Sequence, residues 1–294
     1  MAEHRRGPGR LRGESLADER GGARGVGLAV ARETVVRRVP LATFIIVNFN
    51  GRKLLEECLP TLQAQTVRDW ECLIVDCGSR DDSLPFLRRN YPSFRVLPLR
   101  DDRGYSYGLN IGLKHALGSL LVLMNNDVQL APDWLERMLE ALSRHPEASG
   151  FTGKVYLRRE PRRLDSAGMS LNRRLQPYNY GHGEEDRGQY EEEREVFGGG
   201  GALLMVKREM VEDVGFFDED FQMYYEDVDF YWRARWAGHR FLYIPKAVAY
   251  HWVSATPSSL RSMWRGLRNW LWMVGKNLPL EMVPQVQLVE ALSG

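Results

Sequence analysis

The sequence predicts an α/β fold in which a mainly parallel central sheet is flanked by helices within a single domain. Short apolar runs rich in β-branched residues alternate along the chain with stretches whose apolar residues recur at helical spacing. Such alternation is typical of right-handed β-α-β units on a parallel sheet. The length of 294 residues and the hydrophobic fraction of 44% suffice for one large domain with a sizeable core and tails.

The first half of the folded region contains the predicted parallel strands and their connecting helices. The buried strands are expected at 41–47, 71–76, 94–99 and 119–124. The helices between and after them are expected at 52–64, 82–90, 105–117 and 132–145.

The second half begins with a polar stretch, 157–196, which predicts an exposed excursion such as a lid or hairpin. Four glycines at 198–201 then lead into an apolar strand and a helix. A further helix is predicted at 225–237, with Gly238 as its stop. Two short strands are predicted after it, FLYIP and AVAYH.

Both ends of the chain differ in composition from the folded region, which we place at 41–256. Residues 1–40 are rich in Arg and Gly and predict a disordered tail, with an Arg-rich arm that contacts phosphates or anionic lipid as the alternative. The segment 257–294 contains an amphipathic helical pattern with Arg between its apolar residues. That pattern is typical of an interfacial membrane helix, and it equally fits a helix that packs on the domain.

Composition excludes several classes of protein. The net charge of +1 gives no support to a nucleic-acid partner. Three cysteines without a C-x-x-C pair indicate neither a disulfide framework nor a zinc site, and a reducing compartment is the simplest interpretation. Neither a secretory signal nor an apolar run of about 18 residues is present, so we expect a cytoplasmic protein.

Polar side chains follow three of the predicted strands. The first strand is followed by N-F-N-G, the second by D-C-G-S-R-D-D-S and the fourth by N-N-D-V. Because sites in such sheets lie at the carboxyl ends of the strands, we expect these residues to converge at one edge. Asp127 of N-N-D can present a carboxylate to Mg²⁺ or Mn²⁺, although the same residues also favour a simple turn.

The acidic pair Glu226–Asp227 opens a predicted helix among aromatic residues. Carboxylates in such surroundings can act as bases near neutral pH. Acids in a first helical turn are also stabilised by the helix dipole, so a purely structural role is the alternative.

Two further single residues are candidates. Asp76 can accept hydrogen bonds from a nucleobase or ribose, or cap the following helix. His251 ends an apolar strand and is either a ligand or a structural residue. No G-K-[ST] follows the glycines at 198–201, and no G-x-G-x-x-G follows the first strand, which argues against a P-loop and a dinucleotide fold.

Five blocks of the sequence, taken in order, resemble the family 2 inverting glycosyltransferases, of the kind that includes bacterial rhamnosyltransferases. The blocks are IIVNFNG (45–51), LIVDCGSRDDS (73–83), RGYSYGLNIGL (103–113), LVLMNNDV (121–128) and the segment 200–251. The resemblance covers the chain from Leu41 to His251 and implies a GT-A fold, a single α/β domain with nucleotide and acceptor halves.

The resemblance also implies roles for the nucleotide-binding residues. Phe49 would stack on the nucleobase, and Asp76 would hydrogen-bond the base or ribose. Arg103 and Asn110 would help to seat the nucleotide.

The catalytic roles follow in the same way. Asp127 matches the last acid of the family's D-x-D and would bind Mg²⁺ or Mn²⁺ on the diphosphate, with His251 as a further metal ligand. Asp227 would be the general base, and Glu226 would support it or the acceptor.

The implied activity is transfer of a sugar from a nucleoside-diphosphate sugar, such as dTDP-rhamnose or a UDP-sugar, to a glycan or lipid-linked acceptor. A peripheral location at the inner face of the cell membrane would fit such an acceptor. Asn125, Cys77 and Asp102 depart from the usual family residues, which bears on donor identity more than on catalysis.

Two other functions stay open. One is a non-catalytic glycosyltransferase-like protein that binds sugar or nucleotide, and the presence together of Asp127, Asp227 and His251 argues against it. The other is a sugar nucleotidyltransferase, for which N-F-N-G-R-K is a poor match to the required Gly-rich phosphate loop.

Overall fold

Strands and helices alternate through most of the chain in the computed structural model, which describes residues 39–253, 260–279 and 281. The first half contains β1 (Ala42–Asn48), α1 (Arg52–Gln63), β2 (Trp70–Asp76), α2 (Ser83–Asn90), β3 (Arg95–Pro98), α3 (Tyr105–His115), β4 (Leu120–Asn125), β5 (Val128–Leu130) and α4 (Trp134–Arg144). The second half contains β6 (Gly150–Leu157), β7 (Glu160–Ser166), β8 (Met169–Leu171), β9 (Pro177–Asn179), β10 (Arg194–Val196), β11 (Leu203–Lys207), α5 (Arg208–Val214), a short 3₁₀ helix (Glu219–Phe221), α6 (Glu226–Trp236), β12 (Phe241–His251) and α7 (Leu260–Asn277).

A ten-stranded sheet forms the centre of the fold, in the order β10-β12-β6-β11-β4-β1-β2-β3, with β5 paired to β12 and β7 to β6. The strands β4, β1, β2 and β3 are parallel neighbours, as the sequence predicts. All residues of β1 are buried, which explains its unbroken apolar run. The predicted fold class is confirmed.

The core has two layers, one on each face of the sheet. Because side chains alternate along a strand, Phe44 and Ile46 of β1 pack in the layer formed with α1, α2 and α4. Ile45 and Val47 pack in the opposite layer with α3, α5, α6 and α7. The helices therefore cover both faces of the sheet, and a ligand can reach the sheet at the ends of its strands.

Antiparallel pairing extends the sheet beyond the predicted parallel part. Strand β11 lies antiparallel between β4 and β6, and β12 runs parallel to β6. The sequence predicts two short strands at 241–251, but they form the single strand β12, whose register shifts between Ile244 and Val248. Pro245 lies within that irregularity, where the missing N–H costs no ladder hydrogen bond.

The polar excursion contains hairpin structure. Strand β7 folds back on β6, and β8 and β9 form a separate two-stranded ribbon. The excursion is fastened to the sheet by Lys154 of β6, whose ammonium lies 3.0 Å from Asp186 and pairs with Glu191. Tyr156 also donates a hydrogen bond to Asp186.

The predicted tail at 1–40 falls outside the described residues except for its last two, and so does most of the segment after α7. Helix α7 itself packs on α6 with an inner face of buried residues: Asn269, Trp270, Met273, Val274 and Asn277. Its outer face is exposed and apolar at Leu260, Met263, Trp264, Leu267 and Leu271. None of the helices in the described ranges is long and apolar enough to cross a membrane.

Candidate active site

A chain of buried polar contacts joins the carboxyl ends of the central strands. The amide of Asn126, after β4, donates to Asn48 Oδ1 at 2.8 Å. Asn48 in turn donates to Asp76 Oδ2 at 2.8 Å, and Asp76 Oδ1 accepts from the backbone N–H of Ser79 at 2.9 Å. The convergence expected from the sequence is present, and this network holds the three loops together.

A cavity of about 740 Å³, called here the large cavity, opens at this edge of the sheet. Phe49 lies at its wall and is 48% exposed, so its ring is available to a flat ligand. Arg103 and Arg265 bring positive charge to the cavity, and Asp127 lies on its wall. Aromatic, cationic and carboxylate groups together suit a nucleotide with its phosphates.

Asp127 and His251 lie side by side at the ends of neighbouring segments. His251 Nε2 is 3.2 Å from Asp127 Oδ1, and His251 Nδ1 is 2.8 Å from Asp165 Oδ2. Burial by itself lowers the pKa of His251, but the hydrogen bonds to Asp127 and Asp165 outweigh burial and raise the pKa to about 9. Asp165 orients the imidazole, as carboxylates behind metal-bound histidines commonly do.

This donor set fits a divalent cation that is shared with a substrate. A carboxylate oxygen and an imidazole nitrogen are ordinary ligands of Mn²⁺, and Mg²⁺ is usually held by one or two carboxylates plus phosphates. Within the described residues no group of three or more His, Cys, Asp or Glu side chains could hold a metal by itself. The remaining ligands would therefore have to come from a bound diphosphate and water.

A second cavity of about 390 Å³, called here the small cavity, adjoins the first. The two share Tyr105, Asn125 and Met223 as a common wall. The Tyr105 hydroxyl donates to Asn125 Oδ1 at 2.6 Å, which braces that wall. Tyr224 and Tyr225 also line the small cavity, a composition suited to stacking against a sugar ring.

Glu226 and Asp227 lie at the start of α6 and line the small cavity. Burial, reinforced by the charge of Asp227, raises the pKa of Glu226 to about 8. Burial also raises the pKa of Asp227 to about 6, although its hydrogen bond from the Val228 N–H at 2.8 Å acts in the opposite direction. At neutral pH the pair therefore retains one proton, and Glu226 Oε2 is buried without a hydrogen-bond partner.

The turn before α6 has an uncommon backbone. Gln222, Tyr224 and Tyr225 have positive φ angles of 61°, 73° and 69°. Non-glycine residues seldom adopt this region, and where they do the conformation is often linked to a functional site. Here it brings Met223 to both cavities and aims the start of α6 at the small cavity.

The glycine run at 198–201 lies against α6. A Cβ atom at Gly198 would come within 2.1 Å of the Tyr231 ring. At Gly201, which has a φ of +78°, a Cβ would lie 3.1 Å from Asp227 Oδ2. Close packing against α6 thus explains Gly198, and Gly201 leaves room beside the Asp227 carboxylate.

Five of the eight predicted site residues line these cavities, and three line neither: Asp76, Asn110 and His251. Asp76 is fully buried behind the large cavity, in the network described above. The Asn110 side chain donates to the Phe217 carbonyl at 2.9 Å and accepts from the Phe217 N–H at 3.0 Å. It also donates to the Glu219 carboxylate at 3.0 Å. It supports the loop that leads to α6 and does not line a cavity.

Sequence reasoning missed three residues of the site: Asp165, Tyr105 and Arg265. Asp165 is a single acid in a polar stretch, and its contact with His251 spans 86 positions of the chain. Tyr105 lies within RGYSYGLNIGL, a block that carries the family resemblance, and that position is the sequence feature that could have indicated its place in the site.

Comparison with known proteins agrees with this geometry. The pattern of the family described as "Glycosyl transferase family 2" matches residues 43–215, more than half of the chain. The chain is 29% identical over 229 residues to the N-acetylglucosaminyl-diphospho-decaprenol L-rhamnosyltransferase of Mycobacterium tuberculosis H37Rv, covering 70% of this chain and 74% of that enzyme. It is 24% identical over 234 residues to the poly-beta-1,6-N-acetyl-D-glucosamine synthase of Staphylococcus aureus N315, covering 78% of this chain and 53% of that enzyme.

The fold is also similar to that of a solved structure. A mannosyltransferase from Pyrobaculum calidifontis, in complex with GDP-Man and Mn²⁺, superposes with a TM-score of 0.56 and 22% sequence identity. The superposition covers 87% of this chain and 70% of that chain. With its GT-A fold and the family pattern across its sheet, the chain belongs to glycosyl transferase family 2 and is a glycosyltransferase.

Proposed function

We propose that the protein transfers a sugar from a nucleoside-diphosphate sugar to a hydroxyl group of a glycan or lipid-linked acceptor, with inversion at the anomeric carbon. One observation carries this proposal. The large cavity, which is lined by Asp127 beside its neighbour His251, adjoins the small cavity with Glu226 and Asp227 across a shared wall. A donor in the first and an acceptor in the second would meet with the base on the side away from the leaving group.

The large cavity is the proposed donor site. Phe49 offers an exposed ring for the nucleobase, and Arg103 and Arg265 offer charge for the diphosphate. Asp127 and His251 would hold Mg²⁺ or Mn²⁺, which neutralises charge on the leaving nucleoside diphosphate. We propose dTDP-rhamnose or a UDP-sugar as donor, because the mycobacterial relative is an L-rhamnosyltransferase and the staphylococcal one makes an N-acetylglucosamine polymer.

Asp227 is the proposed general base. Its carboxylate takes the proton of the acceptor hydroxyl while that oxygen bonds to the anomeric carbon, and the bond from that carbon to the diphosphate oxygen breaks. A pKa of about 6 leaves Asp227 ionised at neutral pH and still basic enough to accept a proton. Glu226, protonated at that pH, would donate a hydrogen bond to the acceptor.

A lipid-linked acceptor would account for the outer face of α7. Met263 and Trp264 are 65% and 69% exposed there, and the exposed Arg268 lies among the apolar residues of the same helix. Apolar and cationic side chains together suit an anionic membrane surface. We therefore propose a peripheral location at the inner face of the cell membrane and a role in cell-wall or polysaccharide synthesis.

The test is a panel of donors: dTDP-rhamnose, UDP-N-acetylglucosamine and GDP-mannose. Release of nucleoside diphosphate is measured with Mg²⁺ or Mn²⁺ and with excess chelator. We expect release with one donor, its loss in chelator and in Asp127→Ala, and wild-type release in the control Asp213→Asn, which alters an acid outside both cavities. Binding of nucleotide-sugars without release of diphosphate from any donor would instead indicate a non-catalytic binding protein.

A further inference from the structure

Asn269 is a buried polar residue on the inner face of α7, with 0% of its surface exposed. Its side-chain amide donates to the backbone carbonyls of Phe221 and Met223 at 2.9 Å each and of Tyr224 at 2.8 Å. A primary amide has only two N–H groups, so three carbonyls converge on two hydrogens. One side chain of α7 thus binds three carbonyl groups of the turn before α6.

That turn is the segment with the uncommon backbone, in which Gln222, Tyr224 and Tyr225 have positive φ angles. Such conformations persist only where the surroundings over-determine them. Three of the four carbonyls of 221–224 point to one place, where Asn269 supplies the donors, while the carbonyl of Gln222 accepts from the Ser106 N–H at 3.2 Å. The restraint on those three carbonyls comes from outside the segment and therefore depends on α7 being docked.

The same turn shapes the reacting site. Met223 lines both cavities, and Tyr224 and Tyr225 line the small one. Tyr225 immediately precedes Glu226 and Asp227 at the start of α6. A change in the peptide planes of 221–224 would therefore redirect both carboxylates.

Other contacts of α7 lie further along α6. Asn277 donates to Asp229 Oδ1 at 2.9 Å, and Lys276 lies 3.0 Å from the same oxygen. The Trp236 indole donates to the carbonyl of Asn277 at 3.0 Å. These contacts fasten α7 to α6 without involving the turn, so Asn277 is a matched control for Asn269: same residue type, same helix, and also buried.

We propose that Asn269 is a positioning residue of the transfer reaction, which holds the turn that aims Glu226 and Asp227. Helix α7 lies beyond the residues matched by the family pattern, 43–215, and supports the start of α6 through this amide. The inference rests on the proposed function of Asp227 as the base.

The experiment compares Asn269→Ala, Asn269→Ser and Asn277→Ala with the full-length wild type. Turnover is followed as release of nucleoside diphosphate from dTDP-rhamnose, UDP-N-acetylglucosamine or GDP-mannose, whichever the wild type uses fastest. Nucleoside-diphosphate binding is measured by calorimetry with Mn²⁺. Because a misplacement of about 1 Å can cost about a hundredfold in rate, we expect Asn269→Ala to lower kcat at least about tenfold with Kd within about threefold. Asn269→Ser, which keeps one donor, should lie between, and Asn277→Ala should keep kcat within about threefold.

Hydrogen exchange of the amides in 219–229 supplies a readout that does not depend on activity. Faster exchange in Asn269→Ala than in Asn277→Ala, together with the selective loss of kcat, supports the inference. Equal kcat losses in the two alanine variants would show a general structural role and overturn it. The variant Asp227→Asn identifies which idea has failed. Wild-type turnover in Asp227→Asn refutes the proposed base and the inference with it. If Asp227→Asn loses turnover and Asn269→Ala keeps full turnover, the inference alone is refuted.

Discussion

Replacing Asp227 by Asn separates catalysis from stability. The Asn side chain keeps the shape of Asp and can still accept the hydrogen bond from the Val228 N–H, but it cannot take up a proton. Loss of a general base typically lowers the rate about 10²–10⁴-fold. We therefore expect transfer to fall at least about a hundredfold while binding of the nucleotide-sugar stays nearly normal.

The same substitution should make the protein more stable at neutral pH. Burial raises the pKa of Asp227 from 3.8 to about 6, so the ionised carboxylate destabilises the folded state at pH 7 by up to about 3 kcal/mol. The new amide N–H groups lose some hydration, which offsets part of this gain, and we expect a net gain of about 1–2 kcal/mol. For a domain of this size that corresponds to a rise in Tm of about 2–5 °C.

The pH dependence of this gain follows from the raised pKa. Well below pH 4 both the folded and the unfolded states hold the Asp227 proton, so the variant and the wild type should be equally stable. The difference should grow between about pH 4, where the unfolded wild type ionises, and about pH 6, where the folded wild type ionises, and should stay constant above that. Tm measured by calorimetry from pH 3 to 8 tests this directly.

A matched substitution on the same helix should act in the opposite direction. Asp229 is fully buried and bonds Arg233 at 2.9 Å and Asn277 at 2.9 Å. Asp229→Asn removes a charge that has partners, so we expect a lower Tm. Transfer by Asp227→Asn within a few-fold of the wild-type rate would refute the assignment of the base, and a Tm that falls as in Asp229→Asn would refute the account of its environment.

Three further outcomes are expected. Turnover should follow a bell-shaped pH profile that rises near pH 6 as Asp227 ionises and falls near pH 8 as Glu226 loses its proton. A flat profile between pH 6 and pH 8 would contradict the proton shared by Glu226 and Asp227. Asp165→Asn should weaken Mn²⁺ binding in the presence of nucleoside diphosphate about 10- to 100-fold, as measured by calorimetry, because His251 loses the carboxylate that orients it. An unchanged Mn²⁺ affinity would show that Asp165 does not support the metal site. Trp264→Glu should reduce co-sedimentation with anionic liposomes and leave Tm unchanged, since the side chain is 69% exposed; undiminished binding would exclude this face of α7 as the membrane contact.

The sequence by itself determined the parallel part of the fold, because those strands and helices follow local rules. Burial on both faces makes β1 and β2 continuous apolar runs, and helical spacing marks α1 and α4. Gly238, with a φ of +90°, ends α6 where the pattern predicts. The polar residues after each strand had to meet at one edge once the strands were parallel.

Only the tertiary structure decided how the site is completed. The hydrogen bonds of Asn110 to Phe217 span 107 positions of the chain, and those of Asn269 to the turn before α6 span 45 to 48. A local sequence pattern cannot predict contacts between residues so far apart. The single strand β12 likewise depends on its pairing with β6, because the two strands pair on both sides of the irregularity at Pro245. A short motif can identify a carboxylate, but its surroundings set its pKa, and here the cavity around Glu226 and Asp227 is lined by residues distant in the sequence, such as Tyr105 and Met169.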